Sequence, residues 1–216
     1  RGRSARLSGL VFRGMAVPDG NGAGVRLEQG DLTIAQSWFL DSQQGILTAD
    51  DPASAIVIDK TTFSGLGTCE NSAGCAHSLY IGDIGSLTVR ESRFERGTGG
   101  HYLKARATEV VIEGNSFDDA NGRTTNYMID LPAGSRGRIA ANWFVQGRDK
   151  ENYSAFIAVA AENHAHSADG LTIADNDARL APNVRRTTAF VADWSGDRLE
   201  LDANALGTGL RLFEKR

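Results

Sequence analysis

Three features of the sequence predict an all-β fold, a right-handed parallel β-helix (solenoid) of about seven to eight coils. One short pattern recurs along the chain, each copy is separated from the next by a second alternating stretch, and helical periodicity is nearly absent. Composition agrees, since 25 glycines, only 4 prolines and many Asn and Asp residues favour short strands joined by turns. At 216 residues the chain reads as a single domain, 1–216, with a sizeable core.

The pattern runs apolar, any, apolar, two polar, Ser/Thr/Asn, any, Phe. It appears as LTIAQSWF, IVIDKTTF, LTVRESRF, VVIEGNSF and RIAANWF, then weakens to LTIADNDA and LELDANAL. The last positions are Phe39, Phe63, Phe94, Phe117, Phe144, Ala178 and Leu206, spaced 23 to 34 residues apart. Between them lie GILTA, SLYIG, HYLKA, YMIDL, AFIAVA and TAFVA, and GLRLF follows the last. A period in the twenties with variable insertions signals a solenoid. Strand-only repeats of this size suit coils stacked about 4.8 Å apart, with Phe and Ile/Val laddered inside. A β-sandwich offers no reason for the same corner residue in every repeat, and propeller blades need about 40 residues. Ser37, Thr61, Ser92, Asn115, Asn142, Asn176 and Asn204 are therefore structural corner residues, with Asn expected in left-handed geometry.

A net charge of −4 does not suggest nucleic acid as the default partner. No apolar run approaches the roughly 18 residues of a membrane span. The opening RGRSARLSGL has no signal-like apolar core, as expected of a mature or trimmed form. Cys69 and Cys75 bracket a short glycine-containing loop and predict a small disulfide. That in turn implies an oxidising compartment, periplasmic or secreted.

The chemistry concentrates in GGHYLKARATEVVIEGNSF. Strand alternation sends Leu103 and Ala105 inward and leaves Tyr102, Lys104 and Arg106 on a solvent-facing surface. One coil earlier, Leu79 and Ile81 go in, Tyr80 goes out, and His77 stands where the strand begins. One coil later, Tyr127, Ile129 and Leu131 go in and Asp130 goes out. One outer patch then gathers His77, Tyr80, His101, Lys104, Arg106 and Asp130, with Tyr102 and Arg123 completing a substrate-binding set. A solvated ion-paired surface would explain two cations alone, but not their convergence with His, Tyr and Asp.

HSLYIGDIGSLTVRESRF, GGHYLKARATEVVIEGNSF and NYMIDLPAGSRGRIAANWF resemble bacterial right-handed parallel β-helix repeat proteins of the pectate-lyase-like superfamily. The shared motifs are His-x-x-Tyr-x-Gly, Gly-His-x-x-Lys-x-Arg-Ala and Ile-Asp-Leu-Pro, from about His77 to Glu162. The resemblance implies the fold directly and the chemistry by analogy. Here Ala-Gly-Ser follows Ile-Asp-Leu-Pro, where the group carries a polar residue and paired glycines.

Three functions follow. The first is a polysaccharide lyase on a uronic-acid-containing glycan, an acidic poly- or oligosaccharide. Arg106 would grip the uronate carboxylate, Lys104 or His101 would take the adjacent proton, and Tyr80 would protonate the leaving oxygen. The second is a glycoside hydrolase using Asp83 and Asp130, on alternate coils. The third is a non-catalytic glycan-binding or adhesion module, with Trp38 and Trp143 as stacking platforms. Many lyases of this fold class use Ca²⁺, to which Asp118, Asp119 and Glu162 could contribute. No loop has calcium-binding spacing, so no metal ligand is assigned. His164 and His166 form an H-x-H pair without an evident third ligand.

Overall fold

A computed structural model describes residues 3–71 and 74–216. Among these, 24 strands and no helix form three parallel sheets of eight strands each. Every third strand in chain order joins the same sheet, so each turn of the chain lays one strand in each. This is the expected right-handed parallel β-helix of eight coils. The first sheet starts at Ser4–Ser8, the second at Val11–Arg13 and the third at Ala23–Leu27.

Inward positions stack by kind. Leu32, Ile34, Ile56, Ile58, Leu87, Val89, Val110 and Ile112 line the first sheet and are buried. On the second sheet, Phe12, Phe39, Phe63, Phe94, Phe117 and Phe144 form a continuous stack with centroids 4.7–5.0 Å apart. That spacing is the coil-to-coil distance, which is why one aromatic per repeat suffices.

The corner between these sheets works differently from the expectation. The left-handed residue is the one before each Ser/Thr/Asn: Gln36, Lys60, Glu91, Ala141, Asp175 and Ala203 have φ of 46–57°. That turn aims the following side chain inward. Asn115, Asn142, Asn176 and Asn204 then form an amide ladder, Nδ2 to Oδ1, at 3.0, 3.0 and 2.9 Å. Each Nδ2 also donates to a backbone carbonyl of the preceding coil, as Asn115 does to Val89. An asparagine is selected here because its Nδ2 and Oδ1 satisfy a buried carbonyl and a buried N–H of the preceding coil, as Asn142 does for Ile112 O and Asn115 N, while its Nδ2 also bonds the next amide in the ladder.

The Cys69–Cys75 disulfide is formed. No helix is long and apolar enough to cross a membrane.

Candidate functional site

The outer face of the third sheet carries the patch. Strands Leu79–Ile81, Leu103–Ala105 and Ile129–Leu131 lie side by side, with Tyr80 beside Lys104 and Lys104 beside Asp130. All three side chains leave the sheet between buried flanking residues, as alternation requires. Counting back from the first-sheet Ile/Val places Lys104 beside Ile81 instead. The offset arises because the chain takes one residue more between Ile81 and Ser86 than between their partners Ala105 and Glu109.

Lys104 and Arg106 stand two residues apart without repelling because an anion bridges them. Lys104 Nζ donates to Glu162 Oε1 and Arg106 Nη2 to Glu162 Oε2. Lys104 Nζ also lies 3.3 Å from Asp130 Oδ2. Arg106 Nη1 donates to Tyr80 Oη at 2.7 Å. His77 Nδ1 accepts the His101 backbone N–H at 3.0 Å, which leaves Nε2 to carry the proton in the neutral ring. That bond needs Gly100, at φ +61°, where a Cβ would lie 2.5 Å from His77 Nδ1. His101 Nε2 sits 3.4 Å from Asp130 Oδ2, and the His101 ring is 4.8 Å from His77 and 5.5 Å from Tyr127.

The patch is not open to solvent as alternation alone implies. Lys104, Asp130, His77 and His101 are all buried. His77 packs on the ring of Tyr80, His101 on the ring of Tyr127, and Glu162 bonds the Lys104 amine. Burial holds His77 down to about 3, helped by Lys104 and Arg106, and lowers His101 well below the usual imidazole value. Both rings are neutral at pH 7. Burial pushes the Asp130 carboxyl up to about 6 against the pull of Lys104. Burial would also raise Glu162, but hydrogen bonds from Lys104 and Arg106 outweigh it and hold that carboxyl below the usual range. Asp130 Oδ1 is buried with no hydrogen-bond partner.

Several expected side chains lie elsewhere. Tyr102 turns inward, because Gly99 and Gly100 enter with positive φ and the strand begins only at Leu103. Its ring joins the core, and its hydroxyl bonds Asp119 Oδ1 at 2.7 Å and Gly97 N at 3.0 Å. It touches no ligand face. Tyr127 does the reverse, standing outside the strand Ile129–Leu131 and stacking on His101. Arg123 lines a separate trough of about 580 Å³ with Arg96, Asp41 and Gln43, at the corner after the second sheet. Trp38 and Trp143 are exposed, but on the second sheet.

Glu162, a candidate calcium ligand by sequence, instead belongs to the patch, where it bonds Lys104 and Arg106. It reaches the cations because the Pro132–Ser135 turn seats its segment. Glu162 N and Asn163 N donate to Pro132 O, and His166 N to Ala133 O. Gly134, at φ +80°, is required there: a Cβ would lie 2.1 Å from the His166 carbonyl. This is what Ala-Gly-Ser does after Ile-Asp-Leu-Pro. His166 Nε2 meets Asp83 Oδ1 at 3.0 Å and fastens the segment to an earlier coil.

The three carboxylates that could contribute to a calcium site do not converge. Asp118 faces Arg93, Asp119 faces Lys150, and Glu162 faces Lys104 and Arg106. Among the described residues, one His/Cys/Asp/Glu group lies within metal-ligand reach: Cys69, Cys75 and Glu151, with both cysteines in the disulfide.

Comparison with protein families, with curated proteins and with solved structures yields no match.

Proposed function

We propose that the protein is a carbohydrate-active lyase that cleaves a uronic-acid-containing glycan by β-elimination at the Tyr80–Lys104–Arg106–Asp130 patch. One observation carries this: two cations side by side, one a guanidinium, hold a single carboxylate by both oxygens. A uronate offers the same group to the same donors. Binding there would neutralise the carboxylate charge and make the neighbouring C–H more acidic.

Roles follow from the contacts. Arg106 and Lys104 bind the carboxylate. Asp130 is the favoured base, in place of Lys104, because Lys104 is already committed as a donor to Glu162. Asp130 has an unpartnered buried oxygen and a carboxyl raised to about 6, close to a working pH. It takes the proton beside the carboxylate, a C=C bond forms as the C–O bond to the leaving sugar breaks, and Tyr80 protonates the leaving oxygen. His77 and His101, both neutral, act as hydrogen-bonding walls. A secreted or periplasmic location suits the disulfide.

The test is incubation with a panel of uronate polysaccharides, followed by ultraviolet detection of unsaturated product. Lys104→Ala and Arg106→Ala should each lower product formation at least a hundredfold while the fold is retained. Full activity in either variant removes the proposal.

A second reading, glycoside hydrolysis, is favoured by one fact. Asp130 and Glu162 both contact Lys104 Nζ, one carboxyl raised and the other lowered, the split that an acid–base pair uses. Asp83, paired with His166 instead, is the weaker partner for Asp130. New reducing ends without ultraviolet absorbance would select hydrolysis. Binding with no turnover would select a glycan-binding module.

A further inference from the structure

The cation pair is already filled. Glu162 uses both carboxylate oxygens, one on Lys104 and one on Arg106, as a ligand carboxylate would. Yet Glu162 is the least buried member of the cluster, its side chain 42% exposed against 10% for Lys104. It belongs to a stretch, residues 161–165, exposed throughout and carrying no strand. That stretch is held by backbone bonds to Pro132 and Ala133 and by the His166–Asp83 contact. Beneath it, Asp130 Oδ1 is nine-tenths buried and without a protein partner. The buried part of the site thus presents two cations and a polar atom still lacking a contact, and an exposed carboxylate outside the strands closes it.

If the ligand is a uronate glycan, as proposed above, it must compete with Glu162 for the same donors. We infer that Glu162 is an internal carboxylate that closes the site, and that the ligand's carboxylate displaces it as residues 161–167 swing away. The exchange conserves charge. Opening without a ligand leaves Lys104 and Arg106 facing each other with only Asp130 for compensation, so the closed form predominates. Opening in the presence of a uronate replaces one carboxylate by another. Apparent affinity is then the intrinsic affinity reduced by the fraction of open molecules. A substrate without a carboxylate gains nothing from displacing Glu162, so the closure also discriminates against neutral glycans.

The experiment measures calorimetric binding of short oligogalacturonides, oligoglucuronides and oligomannuronates to the full chain. Wild type is compared with Glu162→Gln, Glu162→Asp and His166→Ala. Aspartate keeps the charge, but its carboxylate is one methylene closer to the backbone and reaches less far toward the two cations. His166→Ala frees the segment without altering the cluster. The inference expects Glu162→Gln and Glu162→Asp each to bind at least one of these probes tenfold or more tighter than wild type, and His166→Ala two- to fivefold tighter. Amide hydrogen exchange should speed up over residues 161–167 in all three while core strands stay protected. Tighter binding by the glutamine variant but not by the aspartate variant would mean that removing a negative charge explains the gain, and the closure is overturned. Equal or weaker binding by both Glu162 variants would also overturn it, while leaving the uronate proposal standing. If no protein binds any probe, the uronate proposal fails, and the closure fails with it.

Discussion

Two buried ionic clusters lie within a few residues of each other, and they are finished to different degrees. One is centred on Asp119, which is fully buried. It accepts from Tyr102 Oη and Thr125 Oγ1 at 2.7 Å and from Gly147 N at 3.0 Å, and it faces Lys150 Nζ at 3.2 Å. Lys150 in turn donates to Thr125 and Asn126. The other is the Lys104–Arg106–Asp130–Glu162 patch. There an Asp130 oxygen has no partner, two cations stand adjacent, and the bridging carboxylate is half exposed. The Tyr102–Lys104 stretch feeds both, with Tyr102 turned into the first cluster and Lys104 into the second. A cluster that satisfies every oxygen of its carboxylate has nothing left to offer a ligand. One with a vacant hydrogen-bonding position and a raised carboxyl carries a cost in stability, as ligand sites commonly do.

The sharpest way to break this contrast is to remove one charge from the satisfied cluster. Lys150→Met leaves Asp119 buried without a counter-charge, and should lower stability by about 3–5 kcal/mol. For a chain of this size that corresponds to a fall in Tm on the order of 10 °C, read by thermal unfolding. A fall of only a degree or two would show that the Asp119–Lys150 pair is not the structural cluster described.

A smaller effect, of opposite sign, is expected at the patch. The Asp130 carboxyl titrates near 6 in the folded chain against an ordinary value of 3.8. Between those values the folded chain keeps a proton that the unfolded chain has lost, so this group's contribution to stability falls as pH rises through the window. Above pH 6, Asp130→Asn should be more stable than wild type by roughly 1–3 kcal/mol, and the gap should close by about pH 4. His77 acts in the other direction. Its folded value, about 3, lies below the ordinary 6.5, so its contribution is complete above pH 6.5 and is lost as pH falls toward 3. Both trends act on wild type, and so the difference curve between wild type and Asp130→Asn is the quantity to measure. A flat difference curve would place Asp130 outside the buried cluster.

The same contrast explains what could be read from the sequence. The fold was legible because each coil repeats its Ile/Val, Asn and Phe positions, and stacking rewards identical neighbours. Tyr80, Lys104 and Asp130 were legible because alternation holds inside a strand. Alternation puts Tyr102 and Tyr127 on the wrong side because both precede their strands, Leu103–Ala105 and Ile129–Leu131, where it does not apply. Glu162 and Lys150 lie far along the chain from their partners, on segments without strand periodicity. A local pattern carries no information about where such segments fold back. The available hint for Glu162 is an acidic residue three positions after the buried strand Ala155–Val159, on the sheet that carries the cations.

The smallest expected effect is the one that separates the two clusters most cleanly. Lys104→Met removes a mostly buried charge just as Lys150→Met does, so a count of buried ion pairs predicts equal losses. The surroundings differ. When Lys104 is removed, Asp130 takes up a proton at little cost, since its carboxyl already titrates near 6. Glu162 keeps its bond to Arg106 and has solvent within reach. Asp119, by contrast, is fully buried, with no solvent within reach. Lys104→Met should therefore lower stability by about 1 kcal/mol or less, under a third of the Lys150→Met loss, while abolishing uronate binding. Matching Tm losses in the two variants would mean that the patch is as structural as the Asp119 cluster, and its exposed carboxylate would then be a clamp on the fold and not a gate.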